Sequence, residues 1–321
     1  MLSRRKHSCA SPLSFKSMLD YSLVAAVAAV VREGSFERAA VLLHVTPSAV
    51  SQRVKLLEQR LGQLLVVRGQ PCTATAAGLA LCRHEEQVAM LEAELALAGT
   101  TAALAAEAPV TLRVAVNADS LATWFIGAAA EFAQDGRALL DVWLEDQDHT
   151  AQQLRNGEVI AAVTTLATPV QGCSSVPLGR MRYLATASPG FMEQHFGGRA
   201  VDAQTLAAAP CLTFNQKDRL QAQWQEAQFG RAVASRRHWL PASQAFVDAA
   251  LAGLGWGMNP ASLVRSHLES GRLVELLPGR PLWVPLYWQH PRSAAPMLTR
   301  LTGAVLAAAR ETLEVEAHAG P

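Results

Sequence analysis

The 321-residue chain is poor in aromatic side chains, at 6%, and has no uncharged apolar run of bilayer-spanning length. The longest candidate, Leu23 to Val31, is too short to cross a membrane. The basic N-terminal stretch through Ser17 lacks the apolar segment of a signal peptide, so a cytoplasmic location is predicted. The five cysteines (Cys9, Cys72, Cys82, Cys173 and Cys211) are scattered and odd in number, with no CxxC pair and no Cys/His cluster. That excludes a disulfide framework and predicts reduced thiols, with no metal and no cofactor. Catalytic signatures are also missing. Ser188-Pro189-Gly190 is not a nucleophile elbow. Gly253-Leu254-Gly255-Trp256-Gly257 lacks the spacing and helix start of a dinucleotide loop, so no enzyme is predicted.

What is present is a globular composition, 50% apolar and 17% charged, long enough for two or three folded units. Net charge is only +1, but it is unevenly spread. Residues 1–75 carry ten Lys or Arg against four acids, and the remainder carries 18 against 23. A basic front on an acidic body suggests a polyanion-binding module joined to something else.

Apolar residues recur at helical spacing from Leu19 to Val31, and Gly34 ends that helix. Ser35 caps a second, from Phe36 to about His44. Thr46 and Pro47 are suited to open a third, Ser48 to about Leu61, stopped by Gly62. Short helices joined by a tight turn, with Ser48, Ser51, Gln52 and Lys55 on a polar face, predict a helix-turn-helix. Leu64 to Val67 and Gln70 to Thr73 read as a small hairpin, or wing. Ala76 to about Ala106 reads as one long apolar-striped helix suited to pairing with a second copy.

Beyond Pro109, strand and helix patterns alternate. Strands are predicted at Val110–Val116, Leu139–Leu144 and Val159–Thr164, with helices at Ser120–Gln134 and His149–Asn156. A second set follows after about Pro189, with strands Cys211–Phe214, Arg236–Leu240, Leu254–Met258 and Val284–Trp288. Helices are predicted at Ser243–Ala252 and Pro296–Leu313. Such alternation predicts parallel α/β units in two lobes, with a ligand cleft at the strand ends.

The run Gly34-Ser35-Phe36-Glu37-Arg38-Ala39-Ala40, with Thr46 through Val54 and Leu57-Glu58, resembles the DNA-binding domain of LysR-type regulators. Leu64, Val67-Arg68 and Thr75-Ala76-Ala77-Gly78 fit the wing and the start of the linker helix, with Ala76 where an acid is usual. Val116 through Trp124, Leu144 through Thr150, Leu154 through Val159, Gly179 through Leu184 and Leu286 through Gln289 resemble the lysine- and arginine-responsive branch. The resemblance covers about residue 18 onward. It implies an α/β chain with a winged helix-turn-helix at 18–76 behind a disordered extension at 1–17. A linker and dimerisation helix follows at 77–107, then a two-lobed, periplasmic-binding-protein-like effector domain at 108–321. Lobe I takes about 108–186 and 283–321, and lobe II about 187–282. The implied function is an activator that senses L-lysine, with L-arginine or L-histidine as further effectors, and controls a basic amino-acid exporter gene. Implied partners are double-stranded operator DNA, RNA polymerase and further copies of the chain, as homodimer or homotetramer. A LysR-type regulator of another metabolic operon, with a different effector, is the alternative. An α/β binding protein or enzyme with an added DNA-binding module is a more distant one.

For DNA, Ser48, Ser51 and Gln52 suit base edges, since Gln can pair bidentately with adenine. Thr46, Arg53, Lys55 and Arg68 suit the backbone, although Arg53 and Lys55 would also serve as a solvated helix face, and Pro47 joins the DNA-binding set at the helix start. A lysine ligand needs one anion acceptor and strong cation acceptors. The helix start at Asn117, Asp119, Ser120 and Thr123 offers free N–H groups to a carboxylate, or is merely capped by Asp119 or Ser120. Glu145, Asp146 and Asp148 crowd a strand end and could pair the side-chain ammonium, or be solvated surface. Ser243 and Phe246 mark a second helix start from the other lobe, or a simple cap and a core residue. Trp124 and Trp256 fit core packing better than a pocket wall.

Overall fold

A computed structural model of the chain describes residues 19–97, 110–134, 136, 138–144, 147–156, 158–292 and 296–314. It divides into two compact units, Met1–Val88 and Ala89–Pro321.

In the first unit, α1 (Tyr21–Glu33) starts where the Asp20 side chain accepts from Ser22 N, and it stops at Gly34 with φ 66°. Ser35 caps α2 (Phe36–Leu42) by accepting from Arg38 N. His44, at φ 52°, turns the chain into α3 (Pro47–Leu61), which Thr46 caps from Ala49 N. One face of each helix closes a core of Val24, Val27, Val30, Ala39, Val50, Val54 and Leu57. The wing is shorter than expected: β1 (Val66–Val67) pairs antiparallel with β2 (Thr73–Ala74). Pro71 stands in the expected second strand and has no N–H to give a ladder. Glu58, on α3, fastens the wing by accepting from Leu65 N at 2.9 Å and Val66 N at 3.3 Å. Then α4 (Ala76–Leu97) begins against Leu65. Its expected continuation to Ala106 and the extension at 1–17 lie outside the described residues.

The second unit opens with β3 (Val110–Val116), then α5 (Ala118–Ser120), a π turn (Leu121–Phe125) and α6 (Ile126–Ala133) as one rod. β4 (Ala138–Leu144), α7 (Gln147–Asn156) and β5 (Ala161–Thr164) complete the alternation. β6 (Cys173–Ala187) then runs 15 residues and leads to α8 (Pro189–His195) and α9 (Ala203–Ala208). Next come β7 (Cys211–Thr213), α10 (Leu220–Phe229), β8 (Arg237–Trp239) and α11 (Ser243–Leu251). β9 (Gly257–Pro260), α12 (Ala261–Glu269) and β10 (Val274–Glu275) precede β11 (Leu282–Pro291) and α13 (Pro296–Thr312).

The expectation of parallel units holds only in part. β3 is parallel to β4 and β5, and β7 to β8, but β11 runs antiparallel to β5 and β6, and β6 antiparallel to β9 and β10. The cause is a shared strand. The first part of β6, through Tyr183, pairs with β11, while Tyr183–Thr186 pairs with β9. One strand thus leaves lobe I, enters lobe II and carries the sheet with it, and β11 must return against it. The expected strand Leu254–Met258 shifts to Gly257–Pro260. Trp256 instead exchanges backbone hydrogen bonds with Pro210 and Leu212. Trp224, Trp256 and Trp288 are fully buried in the main core.

Candidate functional site

On α3, Ser48, Gln52 and Lys55 are exposed, and Ser51 and Arg53 half-buried, while Val50, Val54 and Leu57 point inward. Thr46 and Pro47 are exposed at the helix start, and the Thr46 hydroxyl lies 3.0 Å from that of Ser48. The helix N-terminus and its dipole therefore open on one hydroxyl-rich face, an arrangement suited to phosphate. Arg68, just past β1, lies over the Phe36 ring at 5.1 Å and is exposed. The structure thus brings the sequence-predicted DNA contacts onto one unit, with polar groups outward and the apolar stripe inward.

In the second unit a cavity of about 280 Å³ opens between the two lobes. Lobe I supplies Asn117, Ala118 and Asp119 where β3 ends and the α5 rod begins. The Asn117 side chain accepts from Ser120 N at 2.8 Å, so Asn117 caps this helix, not Asp119 or Ser120. Asp119 is thereby left to face the cavity. Its Oδ2 accepts from the Tyr183 hydroxyl at 2.7 Å, and its Oδ1 accepts from the Ser243 hydroxyl at 2.5 Å. Tyr183 sits on the shared strand β6 and Ser243 at the head of α11, so one carboxylate ties lobe I to the crossing strand and to lobe II. Burial raises the Asp119 pKa, the Ser243 and Tyr183 bonds oppose that, and the nearby Asp218 charge adds to it. Burial and then Asp119 push the Tyr183 phenol well up, which keeps it a donor.

Lobe II contributes the loop after β7, including Asn215, Lys217 and Asp218, together with Phe246 on α11 and Asn259 on β9. The predicted Asn117, Asp119, Ser243 and Phe246 therefore meet at one cavity. Ser120 is fully buried instead, its hydroxyl without a partner. Thr123 turns its hydroxyl back to the Asp119 carbonyl at 2.6 Å. Glu145 and Asp146 lie outside the described residues, as does the Asp148 side chain. Sequence reasoning missed Tyr183, Asp218 and Asn259. The available signal was the carboxyl end of the predicted strand Cys211–Phe214, because loops at such ends collect ligands.

Among the described residues, the carboxylates lining the cavity are Asp119 and Asp218. Two cations, Lys217 and Arg219, line the same cavity, so its wall carries charges of both signs. Among the described residues no cluster of His, Cys, Asp and Glu could hold a metal ion, and no helix is long and apolar enough to cross a membrane.

Two family profiles match the chain. "Bacterial regulatory helix-turn-helix protein, lysR family" covers residues 22–79, and "LysR substrate binding domain" covers residues 105–313. The HTH-type transcriptional regulator LysG of Mycobacterium tuberculosis is 48% identical over 292 residues, 91% of this chain and 94% of that protein. The HTH-type transcriptional regulator ArgP of Pseudomonas aeruginosa is 44% identical over 296 residues, covering 92% and 98%. Among solved structures, ArgP from M. tuberculosis superposes with a TM-score of 0.78 at 46% identity, covering 93% of this chain and all of that one. Full-length LysG from Corynebacterium glutamicum with bound effector Arg gives a TM-score of 0.70 at 39% identity, covering 92% and 100%.

Proposed function

The chain belongs to the LysR family of transcriptional regulators, and from that premise we propose that it senses basic amino acids and activates a gene for their export. It is a DNA-binding regulator and not an enzyme. The observation that carries the effector reading is the Asp119 carboxylate, held at the interlobe cavity by Tyr183 and Ser243 and facing the same space as Asp218. A lysine α-ammonium satisfies Asp119, and the α-carboxylate lies along the first turn of the α5 rod beside Asn117. The similarity to LysG and ArgP, and the arginine bound in the C. glutamicum LysG, support a basic amino acid as effector, which we read as L-lysine with L-arginine and L-histidine as alternatives. Operator DNA meets α3 and Arg68, further copies pair through the α4 helix, and RNA polymerase is the partner in activation, all in the cytoplasm.

Calorimetric titration of the full-length protein with L-lysine, L-arginine, L-histidine and norleucine tests this reading. Binding of at least one basic amino acid and rejection of norleucine are expected, because an apolar chain end would leave a desolvated carboxylate unpaired. Equal binding of norleucine, or no binding of any basic amino acid, overturns it. The regulatory half is tested by transcription from the promoter of a neighbouring exporter gene, which should rise with the effector only when the protein is present.

A further inference from the structure

We propose that Asp218 is the residue that selects ligands by the positive charge at the far end of their side chain; the inference rests on the amino-acid reading above. Asp218 lies in the loop between β7 and α10, on the lobe II wall of the cavity. Its Oδ2 accepts from Phe214 N at 2.8 Å and its Oδ1 from Leu220 N at 2.9 Å. Asn215 braces the same loop, accepting from Lys217 N at 2.8 Å and Asp218 N at 3.0 Å. The carboxylate is therefore fixed in place before any ligand arrives. An ionised carboxylate offers about four acceptor positions, so two backbone bonds leave capacity for a cation.

The field of Asp218 reaches Asp119 across the cavity. Both carboxylates line one cavity, and a cation beside either is favoured over a neutral group. A ligand with one ammonium can serve only one of them. A ligand with an ammonium at each end can serve both, which makes the second carboxylate a reader of chain-end charge. Two cations, Lys217 and Arg219, share this wall, and Arg219 pairs with Glu226 at 3.2 Å.

The same wall holds a polar side chain with an incomplete set of partners. Asn259 is fully buried, and its Nδ2 donates to Thr186 Oγ1 at 3.0 Å and lies 3.4 Å from the Gly257 carbonyl. That carbonyl accepts only, so it fixes which way round the amide sits. The Asn259 Oδ1 is then an acceptor, and it has no hydrogen-bond partner.

A purely structural role for Asp218, closing the loop and heading α10, is separable by chemistry. Asn keeps one of the two acceptor oxygens and carries no charge, so Asp218→Asn gives up one backbone bond along with the charge. Full-length parent, Asp218→Asn and Asp218→Ser are titrated with L-lysine and norleucine by calorimetry, with melting followed by circular dichroism. The parent should prefer lysine. Asp218→Asn should lose about thirty-fold or more in lysine affinity, with its lysine-to-norleucine ratio collapsing toward one, while its melting temperature falls only by the modest amount expected from one lost backbone bond. Because the ratio is independent of the fraction folded, Asp218→Ser reads the same quantity if the Asn variant folds poorly. A parent that discriminates beside variants that discriminate equally well overturns the role of Asp218 and leaves the effector reading standing. A parent that binds no basic amino acid overturns both.

Discussion

Asp119 answers two opposing demands. Its surroundings favour the proton, since burial is the largest influence and raises its pKa, while its bonds to Ser243 and Tyr183 favour the charge. The folded, ligand-free protein therefore binds this proton more tightly than the unfolded chain. The associated stability is greatest at low pH and is lost as the pH climbs from the usual carboxylate range through the raised value. A ligand ammonium reverses the preference. Lysine binding is expected to expel a proton in that window, and lysine affinity should fall as the solution is acidified through it. Calorimetry at mildly acidic pH, in two buffers of different ionisation enthalpy, measures the released proton. Equal heats in both buffers would show that Asp119 is already ionised and rule the effect out. At this scale half of the site could be read ahead of the fold. Asn117, Asp119, Ser243 and Phe246 stand at helix starts, and helix starts have sequence signatures. Asp218 has only the weaker signal of following a predicted strand end, and Tyr183 and Asn259 have none, because they are placed by chain crossings and not by a local pattern.

Elements repeat the contrast. α1 to α3 were legible because capping residues and glycine stops flank apolar stripes of clear helical period. β6 is not legible as a strand, since Pro177 and Gly179 interrupt it and Gly179 takes φ 122°. Its register against β11 slips at that point, between Leu286 and Tyr287. A strand that serves two lobes also lacks the in–out alternation of a one-faced sheet. For α3 the exposure pattern makes a prediction about DNA. Gln52 projects from the polar face, and Gln52→Ala should remove about 1–3 kcal/mol of operator discrimination while leaving non-specific binding largely intact. Arg53→Ala should weaken binding to all sequences and lower the salt slope by about one unit. Footprinting and binding across a salt series separate the two. A uniform loss on all DNAs for Gln52→Ala would reverse the assignments. The tie between α3 and the wing is testable too. Glu58→Ala strips two wing N–H groups of their acceptor and should cost about 1–3 kcal/mol by denaturant melt of the intact chain, whereas Glu58→Gln keeps an oxygen there and should cost less.

At the scale of the whole molecule, each unit has buried clusters of its own, and the two sets share no residue. All seven tryptophans fall at Trp124 or later, in the second unit, so their fluorescence reports that unit and is silent for the first. The two units can therefore be perturbed and read separately in one sample. Gly78 supplies the perturbation for the first. A Cβ there would lie 2.0 Å from the Leu65 carbonyl oxygen, a backbone atom that cannot swing aside. Gly78→Ala should thus destabilise the first unit by about 1–3 kcal/mol or more, even though alanine is the better helix former. Lysine supplies the perturbation for the second. At a hundred times its Kd an effector adds about 2.7 kcal/mol to the unit that binds it. Fluorescence melts should therefore rise with lysine and scarcely move with Gly78→Ala. Melts followed by circular dichroism, which sees both units, should show an early transition that falls in Gly78→Ala and ignores lysine. A fluorescence transition that drops in step with Gly78→Ala would mean that the second unit cannot stay folded when the first is lost. The effector site would then depend on the DNA-binding unit for its stability, and ligand affinities would have to be compared between variants of equal stability.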